Sequence, residues 1–274
     1  MRNSIVCGML LAAPITLMAE GSPWLTNPGE TVVQFSVVSQ EADKLYAGEN
    51  RVDVPVGDLE QMTYWLSLSH GLSDNLAMDA RIGYSETDST AGLEQDGTAD
   101  TTVGITWRFH DEFLSDDGLP SAAVRVAATI AGGYDTGQIT AIGDGASGME
   151  ASLILGKVFN SQFAASADIG YRYRDSDVPN EMFLNISAFY TINDQLSAHV
   201  AYHRVDAREG LDIGGPGFSP DRFPEVEEDY DSFEVGISYA IAPEFYLGLS
   251  YGAIVDGRNA PESDILSASV GYSF

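Results

Sequence analysis

One cysteine, Cys7, stands among the 274 residues, so no disulfide can close within the chain; with four histidines there is no thiolate cluster for a structural zinc site either. Basic residues are scarce too. Thirteen Lys and Arg stand against 41 Asp and Glu, a formal charge of -28 that repels phosphate backbones and argues against nucleic-acid binding. Proline is thin, at 11 residues beside 28 Gly, 13 Tyr and 12 Phe, a balance that favours many strands over a helical bundle. Beyond the N-terminal segment no apolar run approaches the ~18 residues that a membrane-crossing helix needs, which excludes helical insertion. Yet 44% apolar and 20% charged residues are too hydrophobic a mixture for disorder.

Residues 1–19, MRNSIVCGMLLAAPITLMA, place one Arg before a short apolar run broken by Pro14, the layout of an export signal rather than of an anchor helix. Cleavage is expected after residue 19 to 21. A cut after Gly21 is preferred because it sets the small Ala19 at the third position before the scissile bond. The expected organisation is a signal over 1–21 and a single domain over 22–274.

In that domain apolar and small or polar residues alternate over about ten positions at a time, the period of a strand with two unlike faces. The last run is the clearest: Leu266, Ala268, Val270, Tyr272 and Phe274 alternate with Ser267, Ser269, Gly271 and Ser273. Twelve such strands are expected, at about 30–39, 60–69, 76–85, 101–109, 121–131, 149–158, 163–174, 182–190, 195–204, 232–241, 245–255 and 264–274. Long polar connections interleave with short turns such as Ile192-Asn193-Asp194-Gln195, except for a longer acidic turn from His110 to Pro120. An even number of strands with alternating long and short connections predicts an all-β fold, a transmembrane antiparallel up-and-down barrel with its long loops outside. Aromatics gather toward both strand ends, Trp107, Phe109, Tyr190 and Phe245 at the short turns and Tyr84, Tyr171, Tyr202 and Tyr251 toward the loops, as two interfacial girdles require. A soluble sandwich would carry charges on its outward face, whereas here they sit mainly in the loops.

The terminal Val270-Gly271-Tyr272-Ser273-Phe274 resembles the C-terminal assembly signal of Gram-negative outer-membrane barrels. Other segments resemble a barrel family labelled "putative MetA-pathway of phenol degradation": Pro23-Trp24 with Pro28-Gly29-Glu30, then Tyr134-Asp135-Thr136-Gly137, Ile142-Gly143-Asp144-Gly145 and Gly156-Lys157. The resemblance implies residence in the outer membrane, handling by its assembly machinery through Tyr272 and Phe274, and a porin-like role without catalysis.

If the large alternating residues meet lipid, the opposite parity lines the lumen: Asp79, Arg81, Arg108, Arg125, Glu150, Asp168, Arg172, Arg174, His199, His203 and Glu234. Ionisable groups at membrane depth need pairing or water, so either a hydrated pore or an ion-paired plug is expected. Arg81, Arg108 and Arg125 would favour anionic or aromatic-acid solutes if free; paired with Asp79, Glu150 and Asp168 they would close the lumen. The small residues of the last three strands leave room for an eccentric passage opposite this wall. A lipid hydrolase would need Ser, His and an orienting acid together on the lipid side. Its one outward histidine, His70, lies ~30 Å from the outward Ser39. His199 and His203, ~13 Å apart along one strand, cannot share a metal. No cofactor is expected. The six external loops hold 27 acidic and 6 basic residues; they could collect Ca²⁺ or Mg²⁺ weakly, though no spaced calcium motif is present and a solvated acidic face explains them as well. The expected role is a passive channel for small solutes in contact with outer-membrane lipids, with a non-conducting structural or adhesive barrel as the alternative.

Overall fold

The computed structural model describes residues 21–274, so residues 1–20 of the expected export segment, Cys7 included, fall outside the described residues. Fourteen strands form: β1 (Thr31–Ala47), β2 (Asn50–Asp53), β3 (Leu59–Ser73), β4 (Leu76–Ser89), β5 (Glu94–Thr98), β6 (Thr101–His110), β7 (Ser121–Ile130), β8 (Gly148–Val158), β9 (Phe163–Arg174), β10 (Asn180–Thr191), β11 (Leu196–Arg208), β12 (Asp229–Ala242), β13 (Phe245–Arg258) and β14 (Pro261–Ser273). Twelve of them make one closed antiparallel barrel. Closure is the pairing of β1 with β14 from Val32↔Ser273 up to Leu45↔Pro261, so no membrane-level edge is left with unpaired backbone groups, which hydrocarbon would not tolerate.

The two remaining strands are returns above that wall. β2 doubles back on the top of β1 and β5 on the top of β4. Neither was legible as a strand, and β1, β11 and β13 run several residues past the ends that alternation sets. The reason is that hydrophobic alternation stops where lipid stops, while the hydrogen-bonded ladder continues on polar residues. Lys44 faces Asp53 across such an extension and ion-pairs with it.

At the other end the connections are tight. In two of them an asparagine side chain closes the turn by accepting from the backbone: Asn160 from Gln162 and Phe163 at 2.8 and 2.9 Å, Asn193 from Gln195 and Leu196 at 2.9 and 3.0 Å. The long turn after β6 is tied down by Glu112. Its carboxylate accepts from the Val158 backbone N–H at 3.1 Å and from the Trp24 indole at 3.2 Å.

The outward parity is apolar along the wall, with Phe233, Val235, Ile237 and Tyr239 on β12 all exposed. Near the loop ends the tyrosines turn polar tips upward: Tyr84 donates to Asp96 at 2.5 Å and Tyr202 to Asp231 at 2.6 Å, the arrangement of a side chain half in lipid and half in water. Ile237→Arg, near the middle of β12, should cost about 2–4 kcal/mol in lipid vesicles. Ser269→Arg, on the inward parity of β14, should cost less, as urea unfolding would measure. The reverse order would mean that the two faces are wrongly assigned.

Candidate functional site

The buried face of the wall carries the charged residues, and it brings several of them together. Arg125, at the middle of β7, is 1% exposed. Its guanidinium reaches across β6 to Asp79 on β4, at 3.1 Å from Nε and 2.6 Å from Nη2, and ion-pairs on its other side with Glu150 of β8. Glu150 is shared, since Arg172 of β9 lies 3.1 Å from it and 2.5 Å from Glu181 of β10. One chain of alternating charge thus spans β4 to β10. Asp168 stands outside it. The side chain of Asp168 has Asn185 at 3.5 Å, and Asn185 in turn meets His203 at 2.9 Å, while His199 pairs with Glu234 at 2.7 Å. Arg81 lies over the Trp65 ring, 3.8 Å from its centroid. Arg108 sits lower than a mid-lumen position, bound to Asp111 at 2.7 Å and to the Asp74 carbonyl at the short-turn rim.

A packing device recurs that sequence reading did not single out. Several large inward side chains lie flat on a glycine of the next strand: Trp65 on Gly83, Arg125 on Gly104, Phe183 on Gly170, His199 on Gly236 and Tyr246 on Gly271. A Cβ at any of these glycines would collide with the ring or guanidinium above it. The signal was available, because a glycine inside a strand often marks a close approach. The small residues of the last strands are therefore only partly open space. Tyr246 fills the shelf over Gly271 and hydrogen-bonds Gln34 at 2.9 Å.

The residues before β1 fill the lumen from the periplasmic end. Gly21 lies against the Arg125 side chain and Ile154. Pro23 and Trp24 then lie over Gly156, with the Trp24 ring edge-on to Phe189 at 6.1 Å. Thr26 hydrogen-bonds Ser69 at 2.8 Å before Pro28 bridges to Gly71 and β1 begins. Space remains around this segment and above the Arg125 network. A cavity of about 460 Å³ opens at the short turns beside Tyr246 and Ser238, and one of about 240 Å³ lies in mid-lumen among Arg81, Asp168, Arg172 and His203. A third, of about 350 Å³, lies under the external loops. On the lipid side His70 and the Thr31 hydroxyl lie 2.8 Å apart across two neighbouring strands.

A closed antiparallel wall with an apolar belt outside, a charged lumen inside and long loops at one end defines a membrane-spanning β-barrel of the outer-membrane type. The sequence profile of the family described as "Putative MetA-pathway of phenol degradation" matches residues 30–270, and the chain belongs to that family. Among solved structures it is similar to an outer membrane channel from Pseudomonas putida F1, with a TM-score of 0.75 at 15% identity over 93% of this chain and 99% of that one. It is also similar to the translocator domain of the autotransporter NalP from Neisseria meningitidis (TM-score 0.54, 10% identity, 91% and 90% covered). A third likeness is to the KdgM porin in complex with disordered oligogalacturonate (TM-score 0.52, 9% identity, 89% and 99% covered). No curated protein sequence matches the chain. At such identities the likeness is one of fold, and this fold serves proteins of different function.

Proposed function

We propose that this barrel is a passive, narrow channel for small solutes in the outer membrane. The observation that carries the reading is the succession of cavities along the lumen, 460, 240 and 350 Å³ from the short turns to the loops, where a purely structural plug would pack solid. Membership of the family and the fold shared with an outer membrane channel support it. Asp79, Arg81, Arg125, Glu150, Asp168, Arg172, His199, His203 and Glu234 are the proposed lining, with Arg108 at the lower rim. Tyr272 and Phe274, stacked with ring centroids 5.9 Å apart, are the proposed assembly signal. Because Arg125 is matched by Asp79 and Glu150, Arg108 by Asp111 and Arg172 by Glu150 and Glu181, an anion preference has little to rest on, and we assign the lumen selection by size first. Catalysis has no place in this reading.

The test is a single-channel recording on purified, refolded protein, together with liposome swelling. Small, steady conductance steps and swelling rates that fall steeply with solute size are expected. Silence in both would favour a structural or adhesive barrel whose loops are the working part.

A further inference from the structure

The cavity under the external loops has a wall of unusual composition. β1, β3 and β14 line one side, and residues of two inward-folded segments, 137–144 and 213–228, line the other. Leu45, Leu59, Ile139, Ile142, Phe223 and Val226 give it an apolar patch, and Gln40, Gln61, Gln138 and Asn259 are among its polar lining. Among the described residues that line it, only Asp144 and Glu228 are ionisable, and both are acids.

This cap is built rather than loosely draped. Arg258 holds Asp212 at 2.8 Å and Glu227 at 2.7 Å. Asn259, in the left-handed region at φ 53° that its short polar side chain tolerates, accepts from the Gly48 and Ile213 backbones at 2.8 and 2.9 Å. Tyr134 fixes the other segment by donating to Asp100 at 2.6 Å.

The charge around the two acids does not balance. Arg174 approaches Asp144 to 3.5 Å and is shared with Asp100 at 3.9 Å. Glu181 and Asp229 add further negative charge, and Arg172 is already engaged by Glu150 and Glu181. Burial and these acidic neighbours push Asp144 up to about 6 and Glu228 up to about 8. At pH 7 Glu228 therefore keeps its proton for want of a cation, while Asp144 is ionised beside Arg174.

We propose that this cavity binds a small amphipathic cation, an apolar body of about ten heavy atoms whose protonated amine supplies the positive charge that Glu228 lacks beside the shared Arg174–Asp144 pair. A wall with an apolar patch on one part and the unpaired Glu228 on another complements such a molecule. A fatty acid would add negative charge beside Asp144, and a neutral alcohol would leave Glu228 protonated. The external loops, with 27 acids against 6 bases, would raise the local concentration of cations at the entrance. The proposal deepens the channel reading by naming a solute class, and it rests on that reading for transport alone, since binding needs no conduction.

Isothermal titration of the full barrel in nonionic micelles at pH 7, with empty micelles subtracted, compares hexylammonium, 1-hexanol and hexanoate. Hexylammonium should bind about tenfold more tightly than hexanol, as one charge-assisted contact warrants, and hexanoate more weakly than either. Its heat should change with the ionisation heat of the buffer, because Glu228 gives up a proton when the ammonium arrives; that of hexanol should not. Glu228→Gln with Asp144→Asn should bring hexylammonium down to the affinity of hexanol and leave hexanol unchanged. If that pair does not yield a heat-resistant barrel, Glu228→Gln alone, which mimics the protonated acid, should abolish the proton release. Equal binding of all three probes, or an ammonium preference that survives the substitutions, would overturn the proposal. A silent channel with the preference intact would count against the channel reading alone.

Discussion

Replacing Arg125 by Ala should destabilise the barrel by about 3–5 kcal/mol, the usual cost of removing one partner from a buried charge cluster. The side chain is 1% exposed and holds Asp79 and Glu150 together. Without it two buried-face carboxylates lose their shared cation, and Arg172 remains bound to Glu150 alone of the two. The size of the loss measures that stranded charge rather than any net strength of the ion pair. A triple variant, Arg125→Met with Asp79→Asn and Glu150→Gln, removes charge from all three at similar volume and should recover most of the stability, because Arg172 keeps Glu181. Urea unfolding in lipid vesicles, followed by tryptophan fluorescence, would compare the two. An Arg125→Ala barrel within about 0.5 kcal/mol of the parent, the range of an inert surface change, would mean that the network is not a structural unit. Surviving Arg125→Ala channels should also conduct more, since the guanidinium that lies over Gly104 is gone.

The barrel itself was legible because a membrane imposes one rule on every strand. Each outward side chain meets lipid, so the alternation in Phe233 to Ile241 or Leu266 to Phe274 is uninterrupted, and twelve strands can be counted from it. Above the lipid the rule lapses. That is why β5, Glu94–Thr98, reads as loop, and why the inward folding of 137–144 and 213–228 has no signature beyond a few glycines and prolines.

The lumen was half legible for a related reason. Parity puts Arg125, Glu150 and Asp79 on one face, but a guanidinium that spans two strands makes its partners a matter of side-chain reach, which no period encodes. Asp168 belongs to the same face, with arginines near it, and yet its side-chain partner is Asn185. Trp24 lies before the first strand, where periodicity has nothing to say. Its traces in the sequence were the Pro23-Trp24 motif of the family resemblance and Gly156 on β8.

Trp24→Ala should raise the single-channel conductance severalfold. The indole is 8% exposed and fills the periplasmic half of the lumen between Phe189, Gly156 and the Glu112 carboxylate. Truncation vacates that volume directly and loosens the segment from Gly21 to Asn27, which Trp24 pins to the wall. Glu112 keeps the Val158 backbone N–H and Lys157 at 3.2 Å, so the turn after β6 should hold and the barrel should still resist heat on a gel. Gly156→Val reaches the same end from the opposite side, because its Cβ would collide with the Pro23 ring and approach the indole to 2.8 Å. Two substitutions on different elements that both widen the conductance step would locate the constriction at Trp24. If both folded barrels conduct like the parent, the narrowest point lies higher, at Arg125 with Asp79 and Glu150, and the residues before β1 do not set the rate.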